Sequence, residues 1–219
     1  MKAKFLGHAT VKIDDLLIDP WTKEIEGFGL KPPYEYTEED KKFKVMCITH
    51  NHPDHCLGAE ELVKEANATL IAGFELAAEF LQKGLQANPM NIGGTIEQEG
   101  WKIYMTPAWH SASSNPNGFI LQKNGKTFYH AGDTGLFEDM ERLGKEFSID
   151  IAFLPIGDRF TMGIDEASKA VQLLKPKLVV PMHYNSFDLI RVNENEFKEK
   201  VEKAGFACKI VQPGQEIEI

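Results

Sequence analysis

The chain has 219 residues, 42% hydrophobic and 26% charged, with a formal net charge of −9. That length and mixture describe one domain spanning 1–219 around a sizeable core and exclude a chain that is disordered throughout. The acidic balance argues against a nucleic-acid partner, three cysteines without CxxC spacing do not make a disulfide framework, and no apolar run reaches the length of a membrane span, so a cytoplasmic protein acting on a small molecule is expected.

Short apolar runs at 2–6, 10–13 and 16–18 read as strands, the third stopped by Asp19-Pro20. Residues 21–43 form a loop carrying Trp21, Phe28, Tyr34 and Tyr36, which are placed to wall a pocket or to form a small satellite cluster. A buried-type strand is expected at 44–49 and an amphipathic helix at 57–66, with Cys56 in its first turn. A strand at 69–72 and a helix at 74–82 follow. Two hairpins come next, 95–99 with 102–107 about Gly100, and 119–122 with 127–131 about Asn124-Gly125. The last third reads as a strand at 151–155, a helix at 165–174 capped by Asp165, a strand at 178–181, a helix at 194–204 and a final β pair around Pro213-Gly214. Hairpins mixed with strand–helix units indicate an α/β architecture with mixed sheets. A weak similarity between two halves is suggested by the recurrence of β-rich and then β/α order.

The most informative stretch is Thr49-His50-Asn51-His52-Pro53-Asp54-His55, which places three imidazoles and a carboxylate between a strand and a helix. Packing gives no reason to gather titratable rings there, because their desolvation is costly unless they are paired. Neutral imidazole with carboxylate suits zinc and similar ions. The donors are too many for one tetrahedral structural site and fit two ions with open positions better. His110, Asp133 and His183 also follow predicted strands, so seven candidate ligands would converge if those strand ends share one edge.

These residues carry a family resemblance. The order HxHxDH, then His, Asp and His resembles the metallo-β-lactamase superfamily, with His50, His52, Asp54, His55, His110, Asp133 and His183 at the matching positions. Leu6-Gly7-His8-Ala9, His130-Ala131-Gly132-Asp133-Thr134-Gly135 and Phe160-Thr161-Met162-Gly163 are similar to small hydrolases related to ascorbate-6-phosphate lactonase and the phospholipase D that acts on N-acyl-ethanolamine lipids. The resemblance implies a four-layer αββα sandwich. It also implies one metal site of His50, His52 and His110, another of Asp54, His55 and His183, and Asp133 as the bridge. Asp19 matches an aspartate that supports the ligand loop. No long insertion separates Asp133 from His183, and no flavodoxin-like module follows, so the RNA-processing and oxygen-reducing branches are disfavoured. Pro53 departs from a more usual small residue, which is tolerable because proline fixes φ and removes only a donor.

The implied activity is metal-dependent hydrolysis of a small, anionic ester, lactone or phosphodiester by a hydroxide bridging two divalent ions. Zinc is the first choice of metal, with manganese, iron, cobalt or nickel as alternatives. Asp54 would orient that nucleophile or move its proton, or act only as a ligand. His8 would serve as acid or hydrogen-bond donor, or as structural support, and His130 would be a packing or supporting residue. Arg159 could bind a substrate anion, against a surface ion pair with Asp158 or Asp165. A nuclease or cyclic-nucleotide phosphodiesterase and a non-catalytic metal sensor are the competing readings.

Overall fold

The computed structural model describes residues 1–219 as fourteen strands and six helices. Strands β1 (Lys2–Gly7), β2 (Thr10–Ile13) and β3 (Leu16–Ile18) make an antiparallel meander, and β4 (Val45–Cys47) joins β3 in parallel. Helices α1 (Pro53–Cys56) and α2 (Ala59–Ala66) lead to β5 (Thr69–Gly73), and α3 (Phe74–Gln82) leads to β6 (Ala87–Met90), both strands adding in parallel.

The second sheet repeats this plan. Strands β7 (Thr95–Gln98), β8 (Trp101–Pro107), β9 (Asn117–Lys123) and β10 (Lys126–His130) are antiparallel. Helices α4 (Asp139–Glu146), α5 (Ile164–Leu174) and α6 (Glu194–Lys203) alternate with parallel β11 (Ile151–Pro155), β12 (Leu178–Met182) and β13 (Ala207–Cys208). Strand β14 (Glu216–Glu218) crosses back and pairs with β1, Lys2 opposite Glu218. The result is two seven-stranded mixed sheets with the orders β14-β1-β2-β3-β4-β5-β6 and β13-β12-β11-β10-β9-β8-β7.

Period-two alternation explains the layering. In the first sheet Phe5, Leu16, Ile18, Val45, Cys47 and Ile71 face the second sheet, within a 42-residue core that also packs α4, α5 and α6. Their neighbours Leu6, Leu17, Met46, Ile48, Leu70 and Ala72 face the opposite way, into a 14-residue core under α2 and α3. Both faces of these strands are covered, so they read as unbroken apolar runs. Each fully buried Leu, Ile or Phe contributes about 1.5–3 kcal/mol. The αββα sandwich expected from the sequence is what forms, and no helix is long and apolar enough to cross a membrane.

Several local expectations need correction. The helix expected at 57–66 begins at Ala59, because Gly58 at φ +104° breaks it from α1 and a Cβ there would meet Thr22 Oγ1 at 1.8 Å. Cys56 therefore ends α1, where its thiol donates to His52 O at 3.3 Å. Asp165 does not cap α5: Gly163 occupies that position without a side-chain bond, and Asp165 instead pairs with Lys200. The final β pair does not exist, since β13 extends one sheet and β14 closes the other. Strand β6 and helix α4 are elements to which the sequence reading assigns nothing.

Candidate metal centre

Every candidate donor leaves the C-terminal end of a strand or lies in the short helix that follows one. His8 follows β1, Asp19 follows β3, His50 and His52 follow β4, and Asp54 and His55 ride on α1. His110, Asp133 and His183 follow β8, β10 and β12. Pro53 opens α1, where a missing N–H costs nothing and a fixed φ favours the helix. Gly132 delivers Asp133: its φ is +61°, and a Cβ would stand 2.5 Å from Asn117 O. His8, Asp19 and His183 take left-handed backbones of their own, at φ +54°, +47° and +53°.

The side chains converge as two groups. In the first, Nδ1 of His52 lies 2.9 Å from His50 Nε2 and 3.2 Å from His110 Nε2. Asp133 Oδ2 stands 3.6 Å from His110 Nε2 and 3.8 Å from His50 Nε2. In the second, His55 Nε2 is 3.3 Å from Asp133 Oδ1 and His183 Nε2 is 3.1 Å from Asp133 Oδ2. Asp54 Oδ2 lies 3.8 Å from His183 Nε2 and 2.9 Å from His8 Nε2. All seven residues predicted as ligands are thus brought together, with Asp133 between the groups and His8 added to the second.

These donors fit cations. Ligand atoms about 2.0–2.1 Å from a tetrahedral zinc stand ~3.3 Å from one another, and the separations above bracket that spacing. His55 Nε2, Asp133 Oδ1 and both ring nitrogens of His183 are buried without a hydrogen-bond partner, because the nearby carboxylate contacts do not line up. Such orphaned groups are costly in a dry site unless something positive meets them.

Supporting contacts orient the ligands, as metal-binding histidines require. Asp19 accepts from Thr49 N at 2.7 Å and Thr49 Oγ1 at 2.6 Å, and its Oδ2 lies 2.8 Å from His55 Nδ1. Thr49 Oγ1 also reaches His50 Nδ1 at 3.0 Å. His130 is a latch: Nε2 donates to Ala9 O at 2.8 Å and Nδ1 accepts from Gly132 N at 3.2 Å, tying the His8 turn to the Asp133 turn. Asn51 and Ser114 exchange bonds of 2.9 and 3.1 Å and fix the loop beside His50 and His52.

Burial pushes His8 down to about 4, with the His183 ring adding to it. Burial likewise pushes His50 down to about 3. For His55 burial opposes the charge, but Asp133 and Asp19 on either side outweigh it and hold the ring well above its ordinary value. Asp54 and Asp133 are also opposed by burial, yet hydrogen bonding from His8 and the His183 and His55 rings keep these carboxyls below the usual range.

A cavity of about 190 Å³ opens over the centre, lined by His52, Asp54, His110, Asp133, Phe160, His183 and Phe187. Arg159 does not line it; the side chain is exposed, with its guanidinium 5.7 Å from the ring centre of the lining residue Phe160. The ion pair with Asp158 or Asp165 is absent: Arg142 and Arg191 hold carboxylates and Arg159 holds none. Of the loop aromatics, Trp21 is buried against His8 at 5.2 Å, Tyr34 and Tyr36 line a different cavity, and Phe28 is exposed. The sequence reading misses Ser186 and Phe187, which no spacing signals, because both sit in an irregular loop beyond His183.

A family model for the beta-lactamase superfamily domain matches residues 15–184. The chain is 42% identical to a UPF0173 metal-dependent hydrolase of Pelotomaculum thermopropionicum, with all of both chains covered. It is 42% identical to one of Methanocaldococcus jannaschii, covering 97% of this chain and 98% of that one. Among solved structures it resembles Igni18, a metallo hydrolase of Ignicoccus hospitalis, at 38% identity and a TM-score of 0.89, covering 100% of this chain and 98% of that one.

Proposed function

The chain belongs to the beta-lactamase superfamily, and from that premise we propose that it is a dinuclear metal-dependent hydrolase of a small anionic ester, lactone or phosphodiester. The observation that carries the proposal is Asp133, a buried carboxylate whose Oδ2 faces His50 and His110 on one side and His183 on the other, while its Oδ1 faces His55. His50, His52 and His110 would hold one cation and Asp54, His55 and His183 the other, with Asp133 facing both sets. Two such ions, zinc before manganese, iron, cobalt or nickel, supply Lewis acidity and a water acidic enough to attack near neutral pH.

The chain's own residues do the rest. Asp54 takes up the proton of the attacking water at Oδ1, the oxygen that His8 does not hold. Phe160 and Phe187 wall the small cavity and exclude bulk water. Arg159, free of any carboxylate, binds the anionic group of a substrate too large for the 190 Å³ cavity alone.

The test is hydrolysis of a lactone, an aryl phosphodiester, a thioester and a β-lactam by metal-loaded and chelated protein, with Asp54→Asn as control. Turnover of one class, abolished by chelation and reduced at least ~100-fold in the variant, supports the reading. Turnover that survives chelation, or two bound cations with no turnover of any class, counts against it.

A further inference from the structure

We propose that Ser186 is a positioning residue for this centre: its hydroxyl donates to Nδ1 of His8, keeps the ring proton on Nε2, and so holds His8 as a hydrogen-bond donor to Asp54 rather than as a metal ligand. The proposal rests on the dinuclear reading above.

The three side chains form a line. Ser186 Oγ lies 2.7 Å from His8 Nδ1, and His8 Nε2 lies 2.9 Å from Asp54 Oδ2. An ionised carboxylate can only accept, so the hydrogen on this last contact belongs to His8 Nε2. Nδ1 of the neutral ring is then bare and accepts from the serine. A ligating His8 needs the opposite arrangement, with Nε2 bare and the proton on Nδ1. Role and tautomer therefore go together.

The contrast among the rings favours the first arrangement. His55 Nε2 and both nitrogens of His183 are buried with no partner, whereas both nitrogens of His8 are satisfied by protein atoms. In the other group ring nitrogens face one another, His52 Nδ1 within hydrogen-bond distance of two Nε2 atoms and with no carboxylate as near. His8 meets a carboxylate instead, a pairing that is stable without a cation.

The His8 ring is also clamped for this task. It packs at 5.2 Å on Trp21, at 4.1 Å on His183 and at 6.0 Å on Phe187, and its carbonyl accepts from His183 N at 2.7 Å. The loop carrying Ser186 is closed by Asn185, whose side chain bonds both Val192 N and Val192 O. Because His8 donates to Asp54 Oδ2, the carboxylate is held at a fixed angle to His183 and His55. Loss of Ser186 lets the ring turn or change tautomer, and the carboxylate loses that angle.

The experiment uses the full chain loaded with cadmium-113 and labelled with nitrogen-15, read by long-range histidine NMR and by chelator competition. Wild type is expected to bind two cations, with cadmium splitting at His55 and His183, none at His8, and the His8 proton on Nε2. Ser186→Ala is expected to weaken the cation held by Asp54, His55 and His183 by about 10–100-fold and to leave the other cation unchanged; Ser186→Thr restores it. Cadmium splitting at His8 Nε2, a proton on Nδ1, or equal weakening of both sites in Ser186→Ala overturns the proposal and leaves the dinuclear reading standing. Fewer than two cations in wild type overturns both. The wild-type spectrum decides the tautomer even if the alanine variant does not fold.

Discussion

Asp133 is the carboxylate that lies against both halves of the centre, its oxygens 3.1 Å from His183, 3.3 Å from His55 and 3.6 Å from His110. Asp133→Ala is therefore expected to lose both cations, whereas His110→Ala loses only the one it shares with His50 and His52. Metal analysis of the two purified variants checks this; equal losses would show that the groups are not separate. At this scale the donors are legible because ligand chemistry is local: HxHxDH gathers four of them within six positions. Their supports are less so. Ser186 meets His8 across a sequence separation of 178 residues, and a serine in an irregular loop has no pattern of its own. The left-handed backbones of His8, Asp19 and His183 are also silent in the sequence. Each costs about 1–3 kcal/mol and persists only because the surrounding contacts over-determine it.

Among the elements, strands and helices with strong periodicity are legible almost to the residue, as at Ile151–Pro155 and Phe74–Gln82. Those that escape have a reason. Strand β6 is four residues long, carries Pro89 and sits at a sheet edge, where a missing donor is tolerated. Helix α4 buries only Met140 and Leu143 and contains Gly144, so its apolar stripe is too thin to see. The β14 pairing is legible only as a vague β tendency, because its partner β1 lies at the opposite end of the sequence. That pairing buries Ile217, which is 1% exposed in the core between the sheets. Ile217→Ala should cost about 2–4 kcal/mol, measured by urea unfolding. A loss below ~0.5 kcal/mol would mean that β14 is frayed in solution.

For the molecule as a whole, the two halves repeat one plan, an antiparallel meander followed by parallel strand–helix units. This realises the recurrence of β-rich and β/α segments suggested by the sequence. We propose that they form one domain, because the larger core takes side chains from both sheets. The centre draws on both as well: His8, His50 and His55 come from the first, His110, Asp133 and His183 from the second. A cation bound there ties the sheets together, so chelation should lower the melting temperature as well as any activity. At a free metal concentration 100 times the dissociation constant, one site stabilises the fold by about 2.7 kcal/mol. Scanning calorimetry with and without chelator gives the answer, and an unchanged midpoint would count against metal at this edge.

The crowding of four donors into Thr49–His55, with the remainder supplied from far along the chain, also sets an order in time. A nascent or refolding chain presents His50, His52, Asp54 and His55 as a short peptide before any sheet exists, and such a peptide already attracts divalent ions. His110, Asp133 and His183 arrive only after four, six and eight further strands respectively. Metal capture is thus expected to begin weakly at this segment and to tighten as folding brings in the remaining donors. Affinity of the unfolded chain for the ion subtracts from what the finished fold gains by holding it.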